Sequence, residues 1–254
     1  MILRDTHSGQ KLDVAGLNEI TVLIDRSETE RSEVAINRWQ PGLDGPPHQH
    51  EHKEQIFLVL AGEGDVLVGN QRFSASVGSL FYLPAGVVHQ TITRGDSPLE
   101  YFLFNAFLDA EKEGHASFAE HIAKVKHIRR RQADTQQAES AGNGSTPTTS
   151  SRIGIHAQVS SEKTGRTVLL SPADTESCDA ILIALPDNGA AQIAASTPWE
   201  RTLHVLAGSG SVQFADETAS FGAGQTLFIP RGSAATLRAG QDGLRVVSFG
   251  AAVK

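Results

Sequence analysis

His48 and His50 stand two residues apart in Pro46-Pro47-His48-Gln49-His50-Glu51-His52, just ahead of the apolar run Ile56 to Ala61. In extended backbone residues i and i+2 face the same side, so both imidazoles can reach one metal ion. A third donor, Gln55 or its neighbour Glu54, opens the next strand, and a fourth, His89, follows the stretch Gly78 to Val88. Iron, manganese, nickel, cobalt and zinc all accept such donors, so the expected cofactor is one divalent transition metal. The two prolines before His48 stiffen the approach and lower the entropy lost on ordering it.

The glycines around these donors are regularly spaced. Gly42, His48, His50 and Gly62 form one set, and Gly78, Pro84, Gly86 and His89 a second. With these residues the chain resembles the cupin family, whose motifs read G-x5-H-x-H-x3,4-E-x6-G and G-x5-P-x-G-x2-H-x3-N. Counting back from Gly62, Gln55 occupies the place of the family's glutamate, and Thr93 replaces the asparagine. The resemblance implies a barrel with a metal pocket. It does not name a substrate, because cupins include oxygenases, isomerases, lyases and sugar binders.

Adjacent strand residues face opposite ways, so only one of Glu54 and Gln55 should point at the ion. The spacing to Gly62 favours Gln55, and so does phase, because Phe57 and Val59 then face the pocket with it; Glu54 is the alternative. Some cupins, including a uronate-processing group, a cyanohydrin-lyase group and an isomerase group of antibiotic biosynthesis, are similar in carrying glutamine here. Three imidazoles and an amide leave the full double charge on the ion. That makes it a stronger Lewis acid and stabilises a higher oxidation state less than a carboxylate would. Enolisation, isomerisation, ring opening and addition–elimination are favoured, while dioxygen chemistry at ferrous iron stays open because two octahedral positions remain.

Three further residues are candidates for catalysis. His52 continues the alternation of His48 and His50 and could shuttle protons at the pocket rim, Arg38 could bind a substrate carboxylate, and Tyr101 could donate a proton across the barrel. Glu51 and Lys53 read as rim charges, and Thr91 and Thr93 are in phase with His89.

The elements that must position these groups are short β-type runs punctuated by turns such as Gly62-Glu63-Gly64, Gly69-Asn70-Gln71 and Pro84-Ala85-Gly86. Such a pattern argues an all-β antiparallel barrel or jelly roll. Residues 1–20 read as a partly ordered lead-in and 21–110 as the metal-binding barrel. Ser117-Phe118-Ala119-Glu120 has the form of a capping box, and Phe118, Ile122, Val125 and Ile128 make one helical stripe, so 111–138 reads as a helical connector. Its basic end, Lys124, Lys126, Arg129, Arg130 and Arg131, suits a solvated helix C-terminus. Residues 139–152, rich in Gly, Ser and Thr, read as a flexible linker.

Residues 153–254 repeat the first barrel. A shift of 146 residues places Thr21-Val22-Leu23 on Thr167-Val168-Leu169, Val59 to Gly62 on Val205 to Gly208, and Gly78, Pro84 and Gly86 on Gly224, Pro230 and Gly232. The register slips by one near the end, where Leu99–Phe104 matches Leu244–Phe249. Two copies of one fold by gene duplication is the economical reading. At the same shift His48, His50, Gln55 and His89 become Ala194, Ser196, Arg201 and Ala235, so the second barrel is expected to be metal-free. Glu54 persists as Glu200, which suits a structural or surface role.

Composition narrows the partners. The formal charge of -7 and sequence pI near 5.8 leave no electrostatic footprint for nucleic acid or anionic membrane. No apolar run near Met1 is long enough for a signal peptide or spanning helix, which points to a cytoplasmic protein. The single cysteine, Cys178, excludes an intrachain disulfide and thiolate metal clusters and reads as a buried small residue. The expected function is that of a mononuclear metalloenzyme acting on a small oxygenated metabolite, an isomerase, lyase or dioxygenase. The alternative is a bicupin that binds a sugar or organic acid without catalysis or serves a structural role. The expected partner is a small-molecule substrate, and a homodimer is left open.

Overall fold

The computed structural model describes residues 2–140, 154–159 and 164–253, with the backbone alone over 136–140. The strands before the helix are β1 (Ile2–Asp5), β2 (Gln10–Asp13), β3 (Asn18–Ile24), β4 (Ser32–Trp39), β5 (Lys53–Ala61), β6 (Glu63–Val68), β7 (Gln71–Ala75), β8 (Ser79–Leu83), β9 (His89–Arg94) and β10 (Leu99–Phe107). Helix α1 (Phe118–Ser140) follows. Then come β11 (Ile155–Gln158), β12 (Gly165–Leu170), β13 (Cys178–Leu185), β14 (Ala190–Ile193), β15 (Trp199–Phe214), β16 (Glu217–Gly222), β17 (Gln225–Ile229) and β18 (Ala235–Ala252). The linker expected over 139–152 lies outside the described residues from 141 onward, and residues 139 and 140 close α1.

All strand pairings are antiparallel among the described residues, and they build two jelly-roll barrels. In the front barrel one sheet runs β8, β5, β10, β4, β3, β2 and faces a smaller one of β7, β6 and β9. In the rear barrel β17, β15, β18, β13 and β12 run in order, with β16 on β15 and β14 on β18.

The lead-in is not a loose approach to the first barrel. Strand β1 pairs with β17 of the rear barrel, Ile2 opposite Phe228, and β11 pairs with β8 of the front barrel, Ile155 opposite Tyr82. Tyr82 and Phe228 are equivalent in the repeat, so each half lends a strand to the other half's sheet. The reason is the open edge. Without β1 and β11, strands β17 and β8 would leave a row of backbone N–H and C=O groups unpaired.

The two barrels share one apolar interface. Ile56, Leu58, Phe102 and Phe104 from the front pack with Leu182, Val247 and Phe249 from the rear. The Phe249 ring stacks on Phe102 at 4.9 Å and on Phe104 at 5.4 Å. His204, equivalent to Leu58, lies in this interface 4.5 Å from the Phe102 ring and hydrogen-bonds Thr226 Oγ1 through Nδ1 at 3.0 Å. Cys178 is a free, fully buried thiol in the same cluster.

Two buried carboxylates fasten the barrels reciprocally. Glu54 accepts from the Glu176 and Ser177 amides at 2.9 and 2.8 Å, from Ser177 Oγ at 2.8 Å and from the Tyr82 hydroxyl. Its repeat equivalent Glu200 accepts from the Glu30 and Arg31 amides, both at 2.9 Å, and from Ser32 Oγ at 2.6 Å.

Helix α1 begins where the capping residues put it. Ser117 Oγ accepts from the Glu120 amide at 3.1 Å, the Glu120 carboxylate accepts from the Ala116 amide at 2.8 Å, and Asp25 accepts from the Phe118 amide at 2.9 Å. Phe118, Ile122, Val125 and Ala133 pack on the front barrel's core. Ile128 does not join them: it is 51 % exposed, and the next position in phase on the stripe is Arg129. No described helix is long and apolar enough to cross a membrane.

Glu54→Ala strands several buried donors and should cost about 3 kcal/mol or more in urea unfolding, with Glu54→Gln costing less. Burial lowers the His204 pKa to about 4, below the ordinary 6.5. The unfolded chain therefore takes up this proton first, so stability is intact above pH 6.5 and falls as pH drops toward 4. In His204→Leu that pH dependence should shrink by on the order of 2–3 kcal/mol across this window, measured by unfolding at pH 7 and pH 4.

Candidate metal centre

The histidines come together because two segments pair. The His48 amide donates to the His89 carbonyl at 3.0 Å and the His89 amide donates to the His48 carbonyl at 2.8 Å, so the loop after Pro47 is stitched to the start of β9. The Gly86 amide donates to the His50 carbonyl at 2.8 Å, from a turn in which Gly86 adopts φ 70°, a conformation that favours glycine. The imidazole centroids then lie 4.4 Å (His48–His89), 5.2 Å (His48–His50) and 5.5 Å (His50–His89) apart. One ring nitrogen from each lies within 4.8 Å of the others. Two nitrogens on a common ion at ~2.1 Å stand at most ~4.2 Å apart, so small inward shifts suffice.

Each imidazole is oriented by its Nδ1. That atom faces the Pro46 carbonyl at 2.9 Å in His48, the Val87 carbonyl at 3.1 Å in His89 and Glu113 Oε1 at 3.3 Å in His50. Acceptors at Nδ1 select the Nδ1–H tautomer and leave Nε2 as the free donor, the arrangement of metal-binding histidines. All three pKa values are lowered, that of His89 to about 4, chiefly by burial. Arg129 adds to the depression in each case, and Lys53 does so for His50 and His89. The rings are therefore neutral near pH 7, as ligation requires.

The fourth group is oriented by a relay of polarity. Arg26 donates to Glu33 through Nε at 2.6 Å and Nη2 at 2.9 Å, and Asn105 Nδ2 donates to Glu33 at 2.7 Å. A carboxylate only accepts, so Asn105 must present its N–H to Glu33 and its oxygen to Gln55, whose Nε2 donates to it at 2.8 Å. Gln55 Oε1 is thereby turned away. It is buried without a hydrogen-bond partner, as is His89 Nε2, and Gln55 lines the cavity with His48 and His50. Gln55 borders the cavity and His89 belongs to the imidazole cluster that includes its lining residues His48 and His50, and two unsatisfied acceptors so placed fit a divalent ion. As closed by α1 the cavity measures about 30 Å³, which admits an ion, while a larger ligand beside it requires the walls to yield.

The other candidates divide. Tyr101 and Thr91 line the cavity. The Tyr101 oxygen accepts from Asn37 Nδ2 at 2.8 Å and Trp39 Nε1 at 3.1 Å, and burial pushes its pKa up, so the hydroxyl keeps its proton and has it free to donate. Thr93 instead donates to the Leu43 carbonyl at 3.0 Å. Glu54 is committed to the interface. Arg38 is exposed, since Asn37 and Trp39 on either side of it face inward. His52 also lies outside the pocket: the chain bends at Glu51 and His52, and its exposed ring meets Asp109 at 3.0 Å. Lys53 is no rim charge. It is buried and pairs with Glu113 at 2.8 Å.

Sequence reasoning missed three residues. Glu113 sits in the connector at φ 62° and reaches His50 at 3.3 Å, Lys53 at 2.8 Å and His121 at 3.6 Å. His121 and Arg129 come from α1, which forms one wall of the cavity with Phe118 and Ile122. The phase of the α1 stripe was a signal for Arg129; nothing in the sequence pointed to Glu113.

Residues 36–105 match the family model of the cupin domain, and they hold the whole donor set. That segment of the front barrel is a cupin domain. It is 30% identical over 111 residues to germin-like protein subfamily 2 member 2 of Arabidopsis thaliana, a match spanning 42% of this chain and 45% of that relative. The matched part is thus under half of the curated relative's length. The E. coli protein Ylba superposes with a TM-score of 0.68 at 11% identity, covering 98% of this chain and 89% of that one. Bacillus subtilis oxalate decarboxylase, a protein with Mn(II) centres, superposes with a TM-score of 0.66 at 12% identity, covering 98% and 76%. At such identities the likeness establishes the two-barrel fold of this bicupin and no more.

If the relay sets the Gln55 amide, Asn105→Leu should weaken metal binding roughly 10- to 100-fold in chelator competition while the three histidines stay in place.

Proposed function

We propose that the front barrel is the mononuclear metal centre of an enzyme acting on a small oxygenated metabolite, with His48, His50, Gln55 and His89 as ligands. The observation that carries this reading is the pair of buried, unpartnered acceptors, Gln55 Oε1 and His89 Nε2, beside two more imidazoles whose Nδ1 atoms are already engaged. A divalent ion bound by these neutral donors supplies Lewis acidity and open coordination positions, which serve isomerase, lyase or dioxygenase-type chemistry. Manganese, named for the Bacillus subtilis decarboxylase, is one candidate beside iron, nickel, cobalt and zinc.

The chain's own residues set the rest. Tyr101, with both acceptor sites of its oxygen in use, donates its proton into the cavity toward Thr91, 3.5 Å away, or toward a bound substrate oxygen. Phe57, Leu103, Phe118 and Ile122 give the cavity apolar walls that hold water out. Glu113 and Glu33 pair with Lys53 and Arg26, which offsets part of the repulsion these two cations exert on positive charge at the histidines and occupies their hydrogen-bonding groups.

Protein purified without chelator should carry about one equivalent of divalent metal by elemental analysis, and His50→Ala should lose it. Metal-free wild-type protein that still binds small sugars or acids would instead favour a non-catalytic binding module.

A further inference from the structure

Around the cavity stand three cations, the buried Arg26 and Lys53 and the half-buried Arg129, and two carboxylates, Glu33 and Glu113. Glu33 takes Arg26 through two hydrogen bonds, and Glu113 takes Lys53 at 2.8 Å. The third cation is Arg129 on α1. It lines the cavity with His48, His50, Gln55 and Tyr101, and among the described residues no carboxylate stands within ion-pair distance of it. Its helix neighbours are not in this position: Arg130 reaches out to Asp134 at 3.0 Å, and Lys124 to Glu120 at 2.8 Å.

A guanidinium remains charged even where burial opposes it. Held in a partly dehydrated cavity, with Glu113 acting on it only from a distance and already paired to Lys53, it is costly unless something negative arrives. The neutral ligand set sharpens the imbalance, because an ion bound there would add two positive charges and remove none. A neutral sugar or alcohol would leave that charge uncompensated. A carboxylate would neutralise it and match the planar fork of the guanidinium with two parallel hydrogen bonds.

We propose that the ligand of this pocket is a small organic acid whose carboxylate is gripped by Arg129, with its remaining polar atoms directed to the His48, His50, Gln55 and His89 end. The statement about Arg129 rests on the metal reading only for that far end. Arg129 is then the residue that selects for charge. Because it sits on the helix that walls the cavity, the contact that recognises the anion also draws that wall over it.

Calorimetric titration of the full-length, Mn(II)-loaded protein with glycolate and with glycolamide, its neutral analogue of nearly the same shape, tests this. Wild type should bind glycolate at least ~10-fold more tightly than glycolamide, and Arg129→Met should abolish the preference while Arg129→Lys keeps part of it. Metal affinity of Arg129→Met should be unchanged or higher, since one repelling charge has been removed. Equal affinity for both ligands, glycolate binding that survives Arg129→Met, or no binding of glycolate, formate or pyruvate at millimolar concentration overturns the proposal. If Arg129→Met fails to fold, as judged by circular dichroism, wild type and Arg129→Lys decide. Charge-selective, Arg129-dependent binding by protein that holds no metal would sink the metal reading and leave this one standing. One equivalent of metal without charge selectivity would do the reverse.

Discussion

Strand β5 is buried on both faces, and the pleat assigns opposite duties to neighbouring side chains. Ile56 and Leu58 enter the interface between the barrels, and Phe57 and Val59 enter the front barrel's core. Glu54 and Gln55 obey the same alternation, one carboxylate held by the rear barrel's backbone and one amide facing the cavity. A one-residue slip would exchange them, burying an acid among the imidazoles and an amide where four donors await a carboxylate. The charge of the donor set and the cohesion of the two barrels are therefore one constraint.

The rear barrel shows what the same scaffold does without the histidines. Glu33 has its counterpart in Asp179 and Gln55 in Arg201, and these two pair directly through bonds of 2.7 and 2.9 Å. The intermediary is gone: with the one-residue slip Asn105 corresponds to Gly250, where an added Cβ would lie 2.5 Å from Asp179 Oδ1 and 2.9 Å from Arg201 Nη1. In front, a carboxylate orients an amide that orients another, ending in a bare oxygen. Behind, the carboxylate receives a guanidinium. The acidic anchor is retained in both copies, and only the group it addresses has changed, from an acceptor able to meet a cation to a built-in cation.

Much of this could be read from the chain because it is local and periodic. The glycine and proline spacings placed the turns, period-two alternation chose the inward face of β5, and the persistence of Glu54 as Glu200 pointed to a structural or surface role without revealing the reciprocal clamp. The failures are of two kinds. Exchange of β1 and β11 between barrels is a non-local pairing whose short strands carry no partner label. His52 was placed by extending an alternation that the backbone does not sustain, since the bend at Glu51 and His52 breaks the phase set by His48 and His50, whereas Arg38 was chosen for its charge although the alternation of β4 turns it outward between inward-facing Asn37 and Trp39. Arg129 went unseen because a basic residue near a helix end reads as solvated and because hydrophobic Ile128 was given its place on the stripe. Phase rather than hydropathy was the better guide there.

Helix α1 has no counterpart in the described part of the second half, and the cavities differ accordingly. The front cavity is about 30 Å³, and the rear one, lined by Ala194, Ser196 and Arg201, is about 290 Å³. Removing three imidazoles accounts for part of the difference, and the wall of Phe118, His121, Ile122 and Arg129 accounts for another part. That wall has an electrostatic effect as well as a steric one. Excluding water lowers the local dielectric, which strengthens every interaction with a charge inside, including the repulsion between Arg129 and anything positive at the histidines. The two barrels match strand for strand, and the segment joining them walls only the front pocket.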